Sequence, residues 1–186
     1  DVTFLVRPAR AALMAKQGLR VRSAVGDLNL TVCCVVAGDV RPEYDVVMFT
    51  AKAYDLDSAI EAVAPALEGG KGVLLPLLNG MDHLEKLDAR FGGERVLGGV
   101  AYIASTLTPE GEIRHMSDFN NIAFGPRRAS QAVVCEAFGA AAAKSKSEFK
   151  KLDNILQAMW DKWVFLASLG GITCLMRAPV CDYVAT

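Results

Sequence analysis

Lys162 is the residue whose placement points most directly to chemistry. It lies in the run 158–169, which has the pattern of a helix. On such a helix, the residues three, four and seven positions away are all apolar: Ile155, Ala158, Met159, Phe165, Leu166 and Leu169. An ammonium on an apolar face loses hydration, which lowers its pKa and makes it a better proton donor. The same pattern also fits a lysine whose stem covers apolar surface while its charged head stays in water.

Three further polar residues follow predicted strands, where an open parallel sheet binds its ligands. They are Arg7 after residues 2–6, Lys52 after residues 45–50 and Asn79 after residues 72–78. Because the carboxyl ends of parallel strands meet at one edge of a sheet, we expect the three residues to border one cleft. Each one alone also fits a solvated loop, and Asn79-Gly80 is a common turn dipeptide.

Arg7 indicates which cofactor the cleft would hold. In dinucleotide-binding folds the end of the second strand meets the adenosine ribose, where an acidic residue suits NAD and an arginine suits the 2′-phosphate of NADP. The segment Val6-Arg7-Pro8-Ala9-Arg10 contains two guanidinium groups and no nearby carboxylate, and a guanidinium binds phosphate bidentately. If residues 2–6 form that second strand, the sequence predicts NADP. The glycine-rich loop that would precede this strand is not in the chain.

Alternating strand and helix patterns surround these residues. The predicted strands are residues 2–6, 45–50 and 72–78, and the predicted helices are residues 9–17, 56–67 and 82–91. Two β-rich stretches, 19–25 and 28–36, flank a hairpin turn at Gly26-Asp27. The alternation predicts an α/β fold, a Rossmann-type dinucleotide-binding domain whose parallel sheet is covered on both faces.

The second half of the chain has a different pattern. Residues 96–106, 112–116 and 121–124 predict a β-meander, residues 130–144 a helix, and the polar segment 144–151 a boundary before an all-helical unit. We therefore predict an NADP-binding domain at 1–147, with its N-terminal part missing, and the truncated start of a helical substrate or dimerisation domain at 148–186. Since the chain opens at Asp1, without Met and inside a strand-like run, we expect sequence to be missing upstream.

Composition excludes several other classes of protein. Apolar residues make up 52% of the 186, which favours a folded chain, and a net charge of −1 without a basic stripe argues against nucleic acid binding. The uncharged stretch 163–176 is too short for a usual membrane span. Five cysteines without a C-x-x-C pair and two isolated histidines predict no metal site and no catalytic histidine. We expect a reduced, cytoplasmic protein whose cysteines are mostly small core residues.

Four segments together resemble the ketopantoate reductase (2-dehydropantoate 2-reductase) family. They are Phe4-Leu5-Val6-Arg7-Pro8, Thr50-Ala51-Lys52-Ala53-Tyr54, Leu78-Asn79-Gly80-Met81 and Trp160-Asp161-Lys162. Residues 162–168 and 173–177 look like one branch of that family. The similarity covers nearly the whole chain and starts after the glycine-rich loop of the family.

The resemblance implies reduction of a small keto acid, ketopantoate, to pantoate by NADPH, on the route to pantothenate and coenzyme A. By position, Lys162 matches the catalytic lysine that gives a proton to the carbonyl oxygen. Asn79 matches an asparagine that contacts the nicotinamide side of the cofactor and the substrate. Arg7 and Lys52 match cations near the 2′-phosphate, and Ala104 matches a backbone contact to the cofactor.

Two departures keep other functions open. Leu166 and Gly170 stand where well-studied members of the family have asparagines that help to hold the substrate. The family's later serine and acidic substrate residues would lie beyond Thr186. A related reductase of another keto acid is therefore an alternative, and so is a non-catalytic NADP-binding sensor, although a sensor needs no proton donor. Whether the protein forms a homodimer is left open.

Overall fold

The structure is a computed structural model that describes residues 1–184, apart from the side chain of Tyr183. In chain order the elements are β1 (Thr3–Leu5), α1 (Pro8–Gln17), β2 (Leu19–Arg22), β3 (Leu28–Leu30), β4 (Cys33–Val35), β5 (Val46–Phe49), α2 (Leu56–Leu67), β6 (Val73–Pro76), α3 (His83–Phe91), β7 (Gly98–Leu107), β8 (Ile113–Gly125), α4 (Ala132–Ala142), β9 (Glu148–Lys151), α5 (Ile155–Met176) and α6 (Val180–Val184). Short 3-10 helices lie at Ala37–Asp39, Ala53–Asp55 and Ala129–Gln131. The mixed α/β, Rossmann-like architecture confirms the predicted fold class.

Two parallel strand pairs form the first part of the fold. β1 pairs with β4, and β5 pairs with β6 in the register Val46 to Val73. The pairing continues past the end of β5, where the Leu77 amide donates to the Phe49 carbonyl at 2.9 Å. Helix α2 covers this pair with residues that recur at helical spacing, among them the buried Ile60, Val63 and Leu67. The loops after β5 and β6 therefore leave the sheet side by side.

The remaining strands form a mixed sheet in the order β3-β2-β8-β7, with β9 also paired to β8. The predicted hairpin at Gly26 is confirmed, since β2 and β3 are antiparallel and Gly26 has a φ of 124°. The predicted meander is wrong in one respect, because β8 is one strand from Ile113 to Gly125. It pairs with β7 along both halves, and the register shifts between Ile103 and Ser105 of β7. A large β-bulge, in which Ala104 of β7 lies opposite residues 116–119 of β8, thus marks the place of the expected break.

The polar segment before α5 contains a strand that the sequence pattern did not indicate. β9 runs parallel to β8, with Asn121 opposite Glu148 and Phe124 opposite Lys151. It begins at the first residue of the predicted helical domain. The division at residues 147 and 148 stays a prediction, and β9 ties the start of the second unit to the sheet of the first.

One large apolar core joins α2, β6, α3 and the first turns of α5, and includes Leu74, Leu87, Val96, Ile155 and Met159. A second cluster packs α4 on β8 through Phe124, Cys135 and Phe138, whose aromatic rings meet edge to face.

The expectation that the cysteines are mostly core residues is wrong. Cys135 is buried, whereas Cys33, Cys174 and Cys181 are exposed. Cys33 opens the short strand β4, and the other two lie beyond the part of α5 that packs on the sheet. Within residues 1–184, no helix combines the length and apolar character needed to cross a membrane.

Candidate active site

Two glycines seat the first turns of α5 on the sheet. Gly98 of β7 and Gly125 of β8 are cross-strand partners. A Cβ atom on Gly98 would lie 2.6 Å from Cγ2 of Ile155, and one on Gly125 would lie 2.1 Å from the Leu152 carbonyl oxygen. Both distances are shorter than atoms tolerate, so only glycine permits this approach. Ile155 and Met159 fill the space and are 1% and 4% exposed.

This packing of α5 on the two glycines, its seating on the sheet, places Lys162 beside β7. Lys162 is seven residues beyond Ile155, about 10 Å along a helix. Ala101 is three residues beyond Gly98, also about 10 Å along a strand. The two advances match, and the Lys162 ammonium donates a hydrogen bond to the Ala101 carbonyl oxygen. The ammonium also lies 5.3 Å from the centre of the Tyr102 ring.

Burial without an acidic partner sets the electrostatics of Lys162. The residue is half-buried, and loss of hydration lowers the pKa of its ammonium below the usual value. Among residues 1–184, no carboxylate lies within 4.0 Å of the ammonium. A hydrogen-bonded but uncompensated ammonium is suited to giving up its proton.

Asn79, on the loop after β6, lines the same pocket as Lys162. The following Gly80 has a φ of 83°, a conformation that favours glycine, and a Cβ atom there would lie 3.6 Å from the Trp163 ring. Asn79, Gly80, Lys162 and Trp163 line one narrow pocket, together with Leu78, Gly99, Val100 and Met159. The structure therefore brings together the two predicted catalytic residues.

A wider cleft of about 200 Å³ lies near Lys162, over β8 and β9. Its lining includes Tyr102, Asn121, Glu148, Lys150, Leu152 and Ala158. Ala158 precedes Lys162 by one helical turn, and Tyr102 lies against the Lys162 ammonium. The proposed proton donor thus stands between a narrow pocket and a wider cleft.

Arg7 and Lys52 lie at a second place, on the loops after β1 and β5. The Arg7 guanidinium donates to a carboxylate oxygen of Asp55 at 2.9 Å, and the Arg7 side chain is 81% exposed. The Asp55 amide in turn donates to the Lys52 carbonyl at 2.9 Å, and Lys52 is exposed. The expectation that Arg7 has no nearby carboxylate holds only along the sequence, because the fold supplies one from residue 55.

Ala104 remains on β7, exposed, three residues beyond Ala101 and at the β-bulge. The roles assigned to Arg7, Lys52, Asn79, Ala104 and Lys162 stay predictions. Within the described part of the chain, no three His, Cys, Asp or Glu side chains group as metal ligands would.

Sequence reasoning missed three residues that border these places. Tyr102 and Trp163 contact Lys162 and Gly80, and Asp55 binds Arg7. Trp163 could have been noticed, since it follows Lys162 directly. Tyr102 and Asp55 carry no local signal, because their partners lie 60 and 48 residues away in the chain.

The fold and the arrangement of these residues define a Rossmann-like domain joined to a helix that carries a half-buried lysine. Residues 1–129 match the sequence profile of the family described as ketopantoate reductase PanE/ApbA. The chain is 37% identical, over all 186 residues, to a Bacillus subtilis (strain 168) protein named uncharacterized oxidoreductase YkpB, of which it covers 61%. The chain belongs to the ketopantoate reductase PanE/ApbA family.

Solved structures agree with this assignment. The crystal structure of 2-dehydropantoate 2-reductase from Geobacter metallireducens GS-15 is 28% identical and superimposes with a TM-score of 0.83, covering 97% of this chain and 59% of the other. A D-mandelate dehydrogenase in complex with NADH and anilino(oxo)acetate shares the fold, with 14% identity, a TM-score of 0.79, and 95% and 57% of the two chains covered. The chain spans about three fifths of the length of the relatives it matches.

Proposed function

We propose that this protein reduces 2-dehydropantoate (ketopantoate) to pantoate with NADPH, the step that leads to pantothenate and coenzyme A, and that it works in the cytoplasm. One observation carries the proposal. Lys162 is half-buried without a carboxylate partner among the described residues, and it lines the same pocket as Asn79. Membership of the ketopantoate reductase family supports the proposed reaction.

The chain's residues would divide the work as follows. When bound, NADPH supplies the hydride that adds to the carbonyl carbon of the substrate. Lys162 donates its proton to the carbonyl oxygen, where negative charge develops. Asn79, whose amide both donates and accepts hydrogen bonds, orients the carbonyl and the nicotinamide side of the cofactor. The Ala101 carbonyl holds the ammonium of Lys162 in the pocket.

The exposed cations fit the far end of an NADP molecule. Arg7 follows β1 and Lys52 follows β5, and Asp55 links them, since it accepts from the Arg7 guanidinium and its amide donates to the Lys52 carbonyl. In such folds the 2′-phosphate of NADP is bound at a strand end of this kind. Arg7 is held by Asp55 through an exposed ion pair, and such pairs are worth only about 0–1 kcal/mol. A phosphate can therefore displace Asp55 at little cost. We assign Arg7 and Lys52 to the 2′-phosphate and the Ala104 backbone to the cofactor.

A reductase of another keto acid is the second candidate function, and Leu166 and Gly170 favour it. Leu166 offers no hydrogen bond to a substrate, and Gly170 has no side chain that could offer one. The lack of hydrogen-bonding side chains at these two positions suits a less polar substrate than ketopantoate. The D-mandelate dehydrogenase of the same fold was solved with anilino(oxo)acetate, an aromatic 2-keto acid derivative.

The decisive experiment follows NADPH oxidation at 340 nm by the full-length protein. Ketopantoate is supplied first, and phenylglyoxylate and 2-ketoisovalerate follow as competing substrates. We expect turnover with ketopantoate and a loss of about 10²- to 10⁴-fold in kcat for Lys162→Ala, the usual contribution of a general acid. The Lys162→Arg variant keeps the charge but has no dissociable proton near neutral pH, and it should be nearly as inactive.

Matched controls separate the possible results. Lys71→Ala removes an exposed loop lysine and should leave the rate unchanged. Turnover with phenylglyoxylate but not ketopantoate would support the second candidate. NADPH binding without turnover of any 2-keto acid would identify a non-catalytic sensor. Full activity of Lys162→Ala would contradict the role of Lys162 in every version.

A further inference from the structure

Tyr102 is the one side chain whose aromatic ring, among the described residues, lies against the Lys162 ammonium. The distance from Nζ to the ring centre is 5.3 Å, within the range of a cation–π interaction. The other contact is the hydrogen bond to the Ala101 carbonyl. These two groups take the place that a carboxylate occupies beside most buried cations.

Both groups are fixed by the β7–β8 ladder. Ala101 pairs with Ile122 and Tyr102 pairs with Asn121, so the carbonyl and the ring are set by neighbouring positions of one strand. β9 supports the same row from the other side, since Asn121 also pairs with Glu148. The ring is therefore held by the sheet, and α5 brings the ammonium to it.

The charged groups around Lys162 do not replace this contact. On α5, Asp161 accepts a hydrogen bond from Gln157 at 2.7 Å and is exposed. From β9, Glu148 and Lys150 line the wider cleft beyond Tyr102, and they bring one charge of each sign. From the loop before α3, Asp82 makes no ion pair with Lys162. Among the residues that the structure describes, the ring and the carbonyl are thus the main partners of the ammonium.

We propose that Tyr102 is a positioning residue for Lys162, and that the face of its ring holds the ammonium above β7 and stabilises its protonated form. The inference deepens the proposed function and rests on it for its catalytic meaning, since a proton donor must be charged at working pH. The contact itself does not depend on which substrate is reduced. The ring opposes the effect of burial, which favours the neutral amine.

The test measures the protonation of Lys162 directly in the full-length protein. Competitive labelling with acetic anhydride, read by mass spectrometry from pH 6 to 11, gives the pKa of each lysine without any substrate. Replacing the ring by Tyr102→Leu should lower the pKa of Lys162 by about 0.5 to 1, the strength of a partly desolvated cation–π contact. Tyr102→Phe keeps the ring and should keep the pKa. Lys71 serves as the internal reference and should not change.

Further readouts distinguish the possible failures. If the reductase activity is present, the fall of kcat with rising pH should begin at lower pH in Tyr102→Leu, and Tyr102→Phe should restore it. If no substrate turns over, the labelling still decides the inference, while the proposed function fails on its own. Tyr102→Thr suits a strand and serves if the leucine variant does not fold. An unchanged pKa of Lys162 in the variants without the ring would overturn the proposal.

Discussion

Two cations that lose much of their hydration, Lys162 and Arg127, are treated in opposite ways by this fold. Arg127 follows β8 and forms a bidentate ion pair with Asp88 of α3, with both hydrogen bonds at 2.7 Å. It also donates to the Val96 carbonyl at 3.2 Å, and its side chain is only 13% exposed. Within the part of the chain that the structure describes, the Lys162 ammonium contacts one carbonyl and one aromatic ring.

The contrast fits a structural role for Arg127 and the catalytic role that we propose for Lys162. A buried guanidinium that links β8 to α3 must be compensated, because an unpaired charge in the interior destabilises the fold. A proton donor must change its charge during the reaction, and a carboxylate partner would hold the proton in place. The carboxylate partner of Arg127, and the lack of one beside Lys162 among residues 1–184, are what these two roles would require.

The largest expected effect comes from removing each charge in turn. Arg127→Met leaves the Asp88 carboxylate without its partner, while the Val96 carbonyl still accepts from Gln131. We expect a loss of about 3 kcal/mol in the free energy of unfolding. Lys162→Met removes a desolvated charge and should leave that free energy unchanged or higher, while abolishing turnover. Urea unfolding of the two variants measures both free energies of unfolding. Equal destabilisation by the two substitutions would show that the distinction is wrong.

A neighbour of the structural cation gives the next effect. His83 is 3% exposed, and its Nε2 has no hydrogen-bond partner among residues 1–184. Burial together with Arg127 lowers the pKa of His83 to about 4. Between pH 6.5 and 4 the unfolded chain binds a proton that the folded chain does not. Stability should therefore fall as the pH falls through this window, by about 3 kcal/mol at most. His83→Leu should flatten this part of the stability curve, and parallel curves for wild type and variant would contradict it.

The seating of α5 offers a way to move Lys162 without changing it. Gly98→Ala places a methyl group 2.6 Å from Cγ2 of Ile155, so the helix must shift. We expect a loss of about 1–3 kcal/mol in stability and a lower kcat. Gly139→Ala in α4 is the control, since its methyl would lie 3.4 Å from the Phe124 ring, and it should be neutral or stabilising. Unchanged kcat and stability in Gly98→Ala would show that the seating does not matter.

The smallest effect concerns a third cation, Arg7, which is paired but exposed. Asp55→Asn should release its guanidinium and tighten NADPH binding about two- to fivefold, the range of an exposed ion pair. NADH has no 2′-phosphate, so its affinity should not change. Fluorescence titration of both cofactors checks this. An equal change in the affinities for NADPH and NADH would mean that Arg7 does not contact the 2′-phosphate.

The sequence pattern predicted most of the first 90 residues, because there the signals are local. Helix α2 was predicted with its observed bounds, and Gly18 ends α1 as expected. β9 was missed because only two of its four residues, Phe149 and Lys151, are partly buried. Its pairing partners on β8 also lie 27 residues away in the chain, as with Asn121 and Glu148. The break predicted near residues 117–120 reflected polar side chains, but cross-strand pairing on both sides carries β8 through it.

The candidate site shows the same limit. Lys162 was identified from its position within one helix, and Asn79 from its position after one strand. The structure places both residues in one pocket. Their environment was not predictable, since Tyr102, Ala101 and Gly98 reach Lys162 only through the register of β7 and the glycine contact of α5. Register is a property of pairs of strands, and a single periodic pattern does not contain it.

The hydrogen bond between Lys162 and Ala101 joins residues 61 positions apart in the chain. Contacts of such long sequence separation form late, after the local hairpins and helices have reduced the entropy of closing the loop. During synthesis the strands and the Asn79 loop leave the ribosome well before α5 does. The pocket that Asn79 and Lys162 share therefore cannot form until α5 has been synthesised and has packed on the sheet.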